Sequence, residues 1–265
     1  MTEITGNTQV FAILADPIHQ VKTPQRINQL FAQAGYDGVM VPLHVSSDAL
    51  AGVVHALRSV KNLSGFVVTV PHKTAIVDLC DEVTPDVRQV GAVNVVRRSP
   101  QGRLIGTILD GDGFIAGLRV EGIEPGGRSV YLAGAGGAAS AIAFALARSG
   151  VSRLTIANRT TEKAQQLMDR ITVVFPHLPL SVGTDDPTGH DIVVNGTSLG
   201  LGPGDRLPLD VTRLTSTQIV AEIIMQPAET SLLKAAKAKG CRIHFGAPML
   251  AAQIELMAAF MRGNT

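Results

Sequence analysis

Short apolar runs and helical repeats alternate along this chain. In the first third, "VFAIL", "GVMVPLHV" and "GFVVTV" read as strands. Between them, "PQRINQLFAQAG" and "DALAGVVHALRS" place apolar residues at helical spacing, which gives a βαβ rhythm. A second series starts at "SVYLAG" and runs through "ASAIAFALARSG", "RLTIANR", "TEKAQQLMDRI", "DIVVNG", "QIVAEII" and "SLLKAAKAKG". It again reads strand then helix, with parallel crossovers implied. Between the two series, "DGDGFIAGLRVEGIEPGGR" predicts a helix and then a Pro-Gly-Gly linker, a natural place for a domain boundary. The tail "PMLAAQIELMAAFMRG" predicts an amphipathic helix with no strand after it, so it has to pack on something already built. The fold class is α/β, in two units.

Composition narrows the function more than the fold. With 265 residues and 45% hydrophobic positions the chain is long enough for one large domain or two modest ones and can fill a real core. The net charge of +1, from 23 basic and 22 acidic residues spread along the chain, leaves no basic block for nucleic acid. The start "MTEITGNTQV" has no basic and apolar leader, and the apolar runs fall short of the roughly 20 residues that span a bilayer, so no membrane is expected and the cytoplasm is. Cys80 and Cys241 stand far apart and read as two reduced thiols; neither they nor the seven histidines show metal-ligand spacing, and no metal is expected.

The sharpest local signal is "VYLAGAGGAASAIAFALA". A strand runs into Gly134, Gly136 and Ala139 in G-x-G-x-x-A spacing and then into an apolar helix. Gly134 permits a tight turn, Gly136 lets backbone approach a pyrophosphate, and the helix start offers free N–H groups to the phosphates. The next strand ends at Asn158, Arg159 and Thr160, where an NAD site usually carries an acid for the ribose 2′-hydroxyl. With no carboxylate there and Arg159 and Lys163 close by, NADP is favoured and NAD is the alternative. A solvated arginine is the competing reading of Arg159.

Four further stretches complete a set: "GFVVTVPHK" ending at Lys73, "VGAVNVV", "GTILDGDGF" and "PMLAAQ". Taken with "DPIHQVKTP", "NRTTEKA" and "VNGTSLG", they make the chain resemble the shikimate dehydrogenases over essentially its whole length and in the same order. The resemblance implies a substrate-binding catalytic domain over residues 1–108, a Rossmann domain over 109–243, and a helix over 244–265 returning to the first domain. It implies that Lys73 and Asp110 face each other across the substrate hydroxyl that loses hydride. Thr23, Thr69, Asn94 and Gln253 would bind substrate. Ala135, Gly137, Ala138, Thr197 and Gly246 would join Gly134, Gly136, Asn158, Arg159 and Thr160 around the cofactor. The chemistry agrees, because hydride loss from a secondary alcohol requires a proton to leave the same oxygen, and a Lys–Asp pair can hold and exchange it. A surface lysine and a helix cap remain the rival readings of Lys73 and Asp110. His72, beside Lys73, is expected on the opposite face of the strand as a packed or surface residue.

The chain also departs from that family's pattern. Where the family carries H-S-x-S-P, this chain has "QVKTP", with Val21 and Thr23 at the serine positions. Val67 stands for an asparagine, Ile108 and Leu109 for Asn-Thr, and Met225 for a tyrosine, so the grip on the ring has lost polar groups. The expected activity is reversible hydride transfer between NADP(H) and shikimate or a related cyclic hydroxy acid. The same chemistry on quinate or another cyclic alcohol is the first alternative. A non-catalytic dinucleotide-binding sensor is the second, against which the retention of both Lys73 and Asp110 argues. The partner is a small molecule, and the chain is expected as a monomer or homodimer.

Overall fold

A computed structural model of the chain describes residues 3–263. They form two compact units, one of residues 3–109 with 253–263, the other of residues 110–252.

The first unit is built in chain order from β1 (Gln9–Ala15), α1 (Thr23–Gln33), β2 (Gly38–His44), α2 (Leu50–Leu57), β3 (Leu63–Val68), β4 (Glu82–Val83), α3 (Pro85–Val90), β5 (Val95–Arg98) and β6 (Leu104–Thr107). Its sheet runs β2-β1-β3-β5-β6-β4. β1 is parallel to β2 and β3, as the βαβ rhythm requires. β5, however, is antiparallel to both β3 and β6, and the two-residue β4 is parallel to β6, so the sheet is mixed. The runs "VNVV" and "RLIGT" carry this hairpin, which the alternation of strands and helices did not predict. Phe11, Ile13, Leu14, Phe31, Phe66 and Val68 are sealed from solvent at its core.

The second unit continues with α4 (Asp110–Val120), β7 (Ser129–Ala133), α5 (Gly137–Arg148), β8 (Arg153–Ala157), α6 (Thr161–Val174), β9 (Leu180–Gly183), β10 (Ile192–Asn195), β11 (Ile219–Glu222), α7 (Ser231–Ala238) and β12 (Arg242–His244), and it holds the first residues of α8 (Ala247–Arg262). All six strands are parallel, in the order β12-β11-β10-β7-β8-β9. This is the doubly wound order of a Rossmann sheet, with its first strand in the middle and the reversal between β7 and β10. Strands covered on both faces read as unbroken apolar runs, hence the buried "VYLA", "LTIA" and "IVVN". α5 is buried from Ala139 through Ala147, so it is apolar nearly all round. α4 lies close enough to α5 that a Cβ on Gly111 would come 2.4 Å from the Ala141 carbonyl oxygen.

α8 passes from one unit into the other between Ala252 and Gln253. Its last turns cover the β3 ladder: a Cβ on Gly65 would lie 2.4 Å from the Val96 carbonyl oxygen and 2.9 Å from Cγ of Met261. Two cation–π contacts hold the same end, Arg97 over Phe260 at 5.8 Å and Arg262 over Tyr36 at 5.2 Å. The orphan tail of the sequence therefore has its packing partner.

Candidate active site

In the second unit the glycine turn closes on the end of β10. Gly134 has φ +115°, a conformation that favours glycine, and a Cβ there would meet the Gly196 carbonyl oxygen at 2.9 Å. Its N–H donates to Ala157 O at 2.7 Å, and Gly196 N–H donates to Ala133 O at 2.8 Å, so the ends of β7, β8 and β10 are fastened to one another. Gly136 precedes α5 in extended backbone with no side chain capping the helix, and space around its Cα is open. The first N–H groups of α5, over Gly137 and Ala138, are left to a ligand, and Ala135 is half-buried beside them. This cradle fits a pyrophosphate. At the end of β8, Asn158 is half-buried and its Nδ2 donates to Thr160 O at 2.8 Å, while Arg159 and Thr160 are exposed and no acid stands among the three. That donor set fits a ribose 2′-phosphate.

Thr197 and Gly246 sit on the next loops. Thr197 donates from its N–H and hydroxyl to Asn195 Oδ1, at 3.0 and 2.7 Å, and accepts from Leu199 N–H at 3.0 Å. Gly246 is buried, and a Cβ there would fall 2.4 Å from the Ile224 carbonyl oxygen. Behind both loops lies Glu222, with no exposed surface. Burial pushes its carboxyl up from the ordinary value, and its bonds from Asn195, Ile224, Thr230 and Ile223 hold it down against that rise. In the sequence Glu222 shows only as an acid ending the apolar run "QIVAE", a slight signal that its partners do not reinforce.

In the first unit β3 stops at Val68, so Lys73 stands five residues beyond the strand, in a series of turns. The expected strand through His72 is therefore a turn. Thr69 N–H donates to Leu14 O at 3.0 Å, His72 N–H to Thr69 O at 2.9 Å, and Val93 N–H to Lys73 O at 2.8 Å. His72 is 1% exposed, and its Nε2 donates to Val45 O at 2.7 Å, which pins the turn from inside. Asn94, equally buried, accepts from Leu109 N–H on Oδ1 at 2.9 Å, and its backbone pairs with Val68 and Thr107. Thr23 is buried at the start of α1. Gln253 is 3% exposed, and its Nε2 has no hydrogen-bond partner among the described residues. Lys73 and Thr69 are half-buried, and so is Val21; Val67 and Ile108 are buried.

Asp110 belongs to the second unit, where it opens α4 and is buried; the free N–H groups of a helix start favour a carboxylate there. Among the described residues no three His, Cys, Asp or Glu side chains gather to hold a metal ion, and no helix is long and apolar enough to cross a membrane. Cys80 and Cys241 are unbridged, and burial pushes the Cys80 thiol up to about 11, away from the thiolate form.

A doubly wound sheet with an uncapped glycine turn at its reversal point, carried in one chain with a unit of buried amides and a fixed lysine turn, defines a nicotinamide-nucleotide-dependent oxidoreductase. Residues 13–96 match the shikimate dehydrogenase substrate binding domain, and residues 121–199 match the shikimate / quinate 5-dehydrogenase family. The shikimate dehydrogenase (NADP(+)) of Geobacter metallireducens is 37% identical over 269 residues, covering 98% of this chain and 93% of that one. Among solved structures, 5-ketofructose reductase of Gluconobacter sp. strain CHM43 is 33% identical with a TM-score of 0.82, over 97% of this chain and 94% of that one. Shikimate 5-dehydrogenase from Thermus thermophilus, in complex with NADP(H) and shikimate, is 30% identical with a TM-score of 0.85, again over 97% and 94%. This chain belongs to the shikimate dehydrogenase family.

Proposed function

We propose that the chain transfers hydride reversibly between NADP(H) and the ring hydroxyl or ketone of shikimate and 3-dehydroshikimate, or of a related cyclic hydroxy acid. The observation that carries this reading is the role of the Asn94 stretch. Asn94 Oδ1 holds Leu109 N–H, directly ahead of Asp110 in the chain, and the N–H of Val93, the residue before Asn94, holds the Lys73 carbonyl. One buried segment thus fixes the backbone supports of both proton-handling residues.

The first unit takes the substrate and the second the cofactor. When bound, the nicotinamide supplies the hydride acceptor or donor. The alcohol carbon can become a carbonyl only if the hydroxyl proton leaves as well: Asp110 takes that proton, and the Lys73 ammonium holds the oxygen while negative charge develops on it. In the reverse direction Asp110 returns it. Thr23, Thr69 and Gln253 serve the remaining polar groups of the substrate, and the unpartnered buried amide of Gln253 supports this role. The Gly134–Ala138 turn takes the pyrophosphate; Asn158, Arg159 and Thr160 take the 2′-phosphate; Thr197 and Gly246 flank the other half of the dinucleotide. Two unbridged thiols support a cytoplasmic setting, where the chain works as a monomer or homodimer, a choice that sedimentation velocity decides.

A second reading keeps the chemistry and changes the substrate to quinate or another cyclic alcohol, or to a keto sugar such as the one named for the Gluconobacter relative. The apolar Val21, Val67, Ile108 and Met225, standing where the family pattern is polar, favour it. The test is a screen of shikimate, quinate and 5-ketofructose with NADP and NAD in both redox states, following the absorbance of the reduced cofactor. Turnover of shikimate with NADP is expected. Tight NADP binding with no turnover of any of the three would replace the enzyme reading by that of a binding module.

A further inference from the structure

We infer that Glu222 is the positioning residue for the nicotinamide half of the cofactor site, acting through the loops that leave β10 and β11. The inference rests on the cofactor reading above. In a doubly wound sheet the ligand crevice opens at the carboxyl ends of the strands where their order reverses, here between β7 and β10. The pyrophosphate turn follows β7 and the 2′-phosphate residues follow β8, so the remaining half of the dinucleotide lies over the ends of β10 and β11. Glu222 is the last residue of β11.

Its carboxylate is met by neutral donors and by no cation among the described residues. Oε1 accepts from Ile223 N–H at 2.8 Å, Ile224 N–H at 3.1 Å and Asn195 Nδ2 at 3.1 Å. Oε2 accepts from the Thr230 hydroxyl and Asn195 Nδ2, both at 3.0 Å. An apolar side chain would fill this place without the cost of desolvating a charge, so packing does not account for the acid. What the acid does is orient other groups. Asn195 turns Nδ2 toward Glu222 and toward Leu199 O, at 3.0 Å, and so must face Oδ1 to the N–H and hydroxyl of Thr197. Ile223 and Ile224 turn their N–H groups inward to the carboxylate, and their peptide carbonyls lie against Gly246. One buried charge thus sets both Thr197 and the backbone facing Gly246.

The test titrates the full chain with NADPH and, separately, with 2′,5′-ADP, which carries the adenosine and both phosphates but no nicotinamide. Glu222→Gln replaces one acceptor oxygen by a donor that faces other donors, and NADPH affinity should fall about tenfold while 2′,5′-ADP affinity stays within about twofold. Glu222→Asp, which keeps the charge, should restore NADPH affinity to within about threefold of the parent. If Glu222→Gln does not fold, Thr230→Val removes one donor at nearly unchanged shape, and a loss of about threefold for NADPH alone is expected. Equal losses for the two ligands, or unchanged NADPH affinity in a folded variant, would overturn the inference. Failure of the parent to bind either ligand would instead overturn the cofactor reading, and this inference with it.

Discussion

The backbone at Lys73 is held in place on its own account: Val93 N–H holds its carbonyl, and His72 locks the turn one residue earlier through Val45 O. Removing the ammonium should therefore leave the fold intact and strike the chemistry. Lys73→Ala and Asp110→Asn are each expected to lower kcat by about a hundredfold or more, the scale of a lost proton-transfer group, with NADPH affinity unchanged by fluorescence titration. Near-parental kcat in both would remove them from the reaction. Arg159 is exposed, and the proposed reading gives it to the cofactor's 2′-phosphate. Arg159→Ala should raise the Kd for NADP+ about tenfold and leave that for NAD+ nearly unaltered, whereas equal rises would show that no phosphate is touched. These residues could be proposed from sequence because the family motifs are local in sequence. Glu222 could not, because its partners Asn195 and Thr230 stand at the end of β10 and the cap of α7, and a hydrogen-bond network assembled across separate elements leaves no spacing to read.

At the scale of elements, burial decided what could be read. Strands sealed on both faces appear as apolar runs, and the Rossmann strands β7, β8, β10 and β11 were predicted on that ground. The edge strands β9 and β12, four and three residues long and only partly buried, carry no such signal. The β5–β6 hairpin was read for its motif residues rather than its periodicity, so its antiparallel pairing went unseen. α8 was legible as an element, and the contacts of its last turns carry a prediction. Ile254, Met257 and Met261 are buried in them. At about 1.5–3 kcal/mol for each large apolar side chain, their loss approaches the roughly 5–15 kcal/mol that holds a whole domain. A chain ended at Ala252 should lose hydrogen-exchange protection in β1, β3 and β5 while β7, β8 and β10 stay protected. Continued protection of the first sheet would show that the helix is dispensable to it.

Over the whole molecule, stability should respond to mild acid through His190. Burial pushes its imidazole below the ordinary 6.5, with the Pro187 and Thr188 carbonyls pulling the other way. The unfolded chain then binds a proton that the fold refuses, so stability falls as pH drops below about 6.5 and stops falling below the folded value. Glu222, with its carboxyl raised, acts with the opposite sign, so the comparison with a variant is what isolates His190. His190→Asn should flatten the fall in Tm between about pH 7 and pH 5, and an unchanged slope would place the sensitivity elsewhere. The division of the chain has one more consequence. The second unit is a single stretch ending at Ala252, whereas the first is completed by residues 253–263. A ribosome, working from the amino end, therefore makes the first unit's sheet early and the helix that seals it only after the whole second unit. The half that is synthesised first is finished last, and until then its bare β3 ladder waits on the completion of its neighbour.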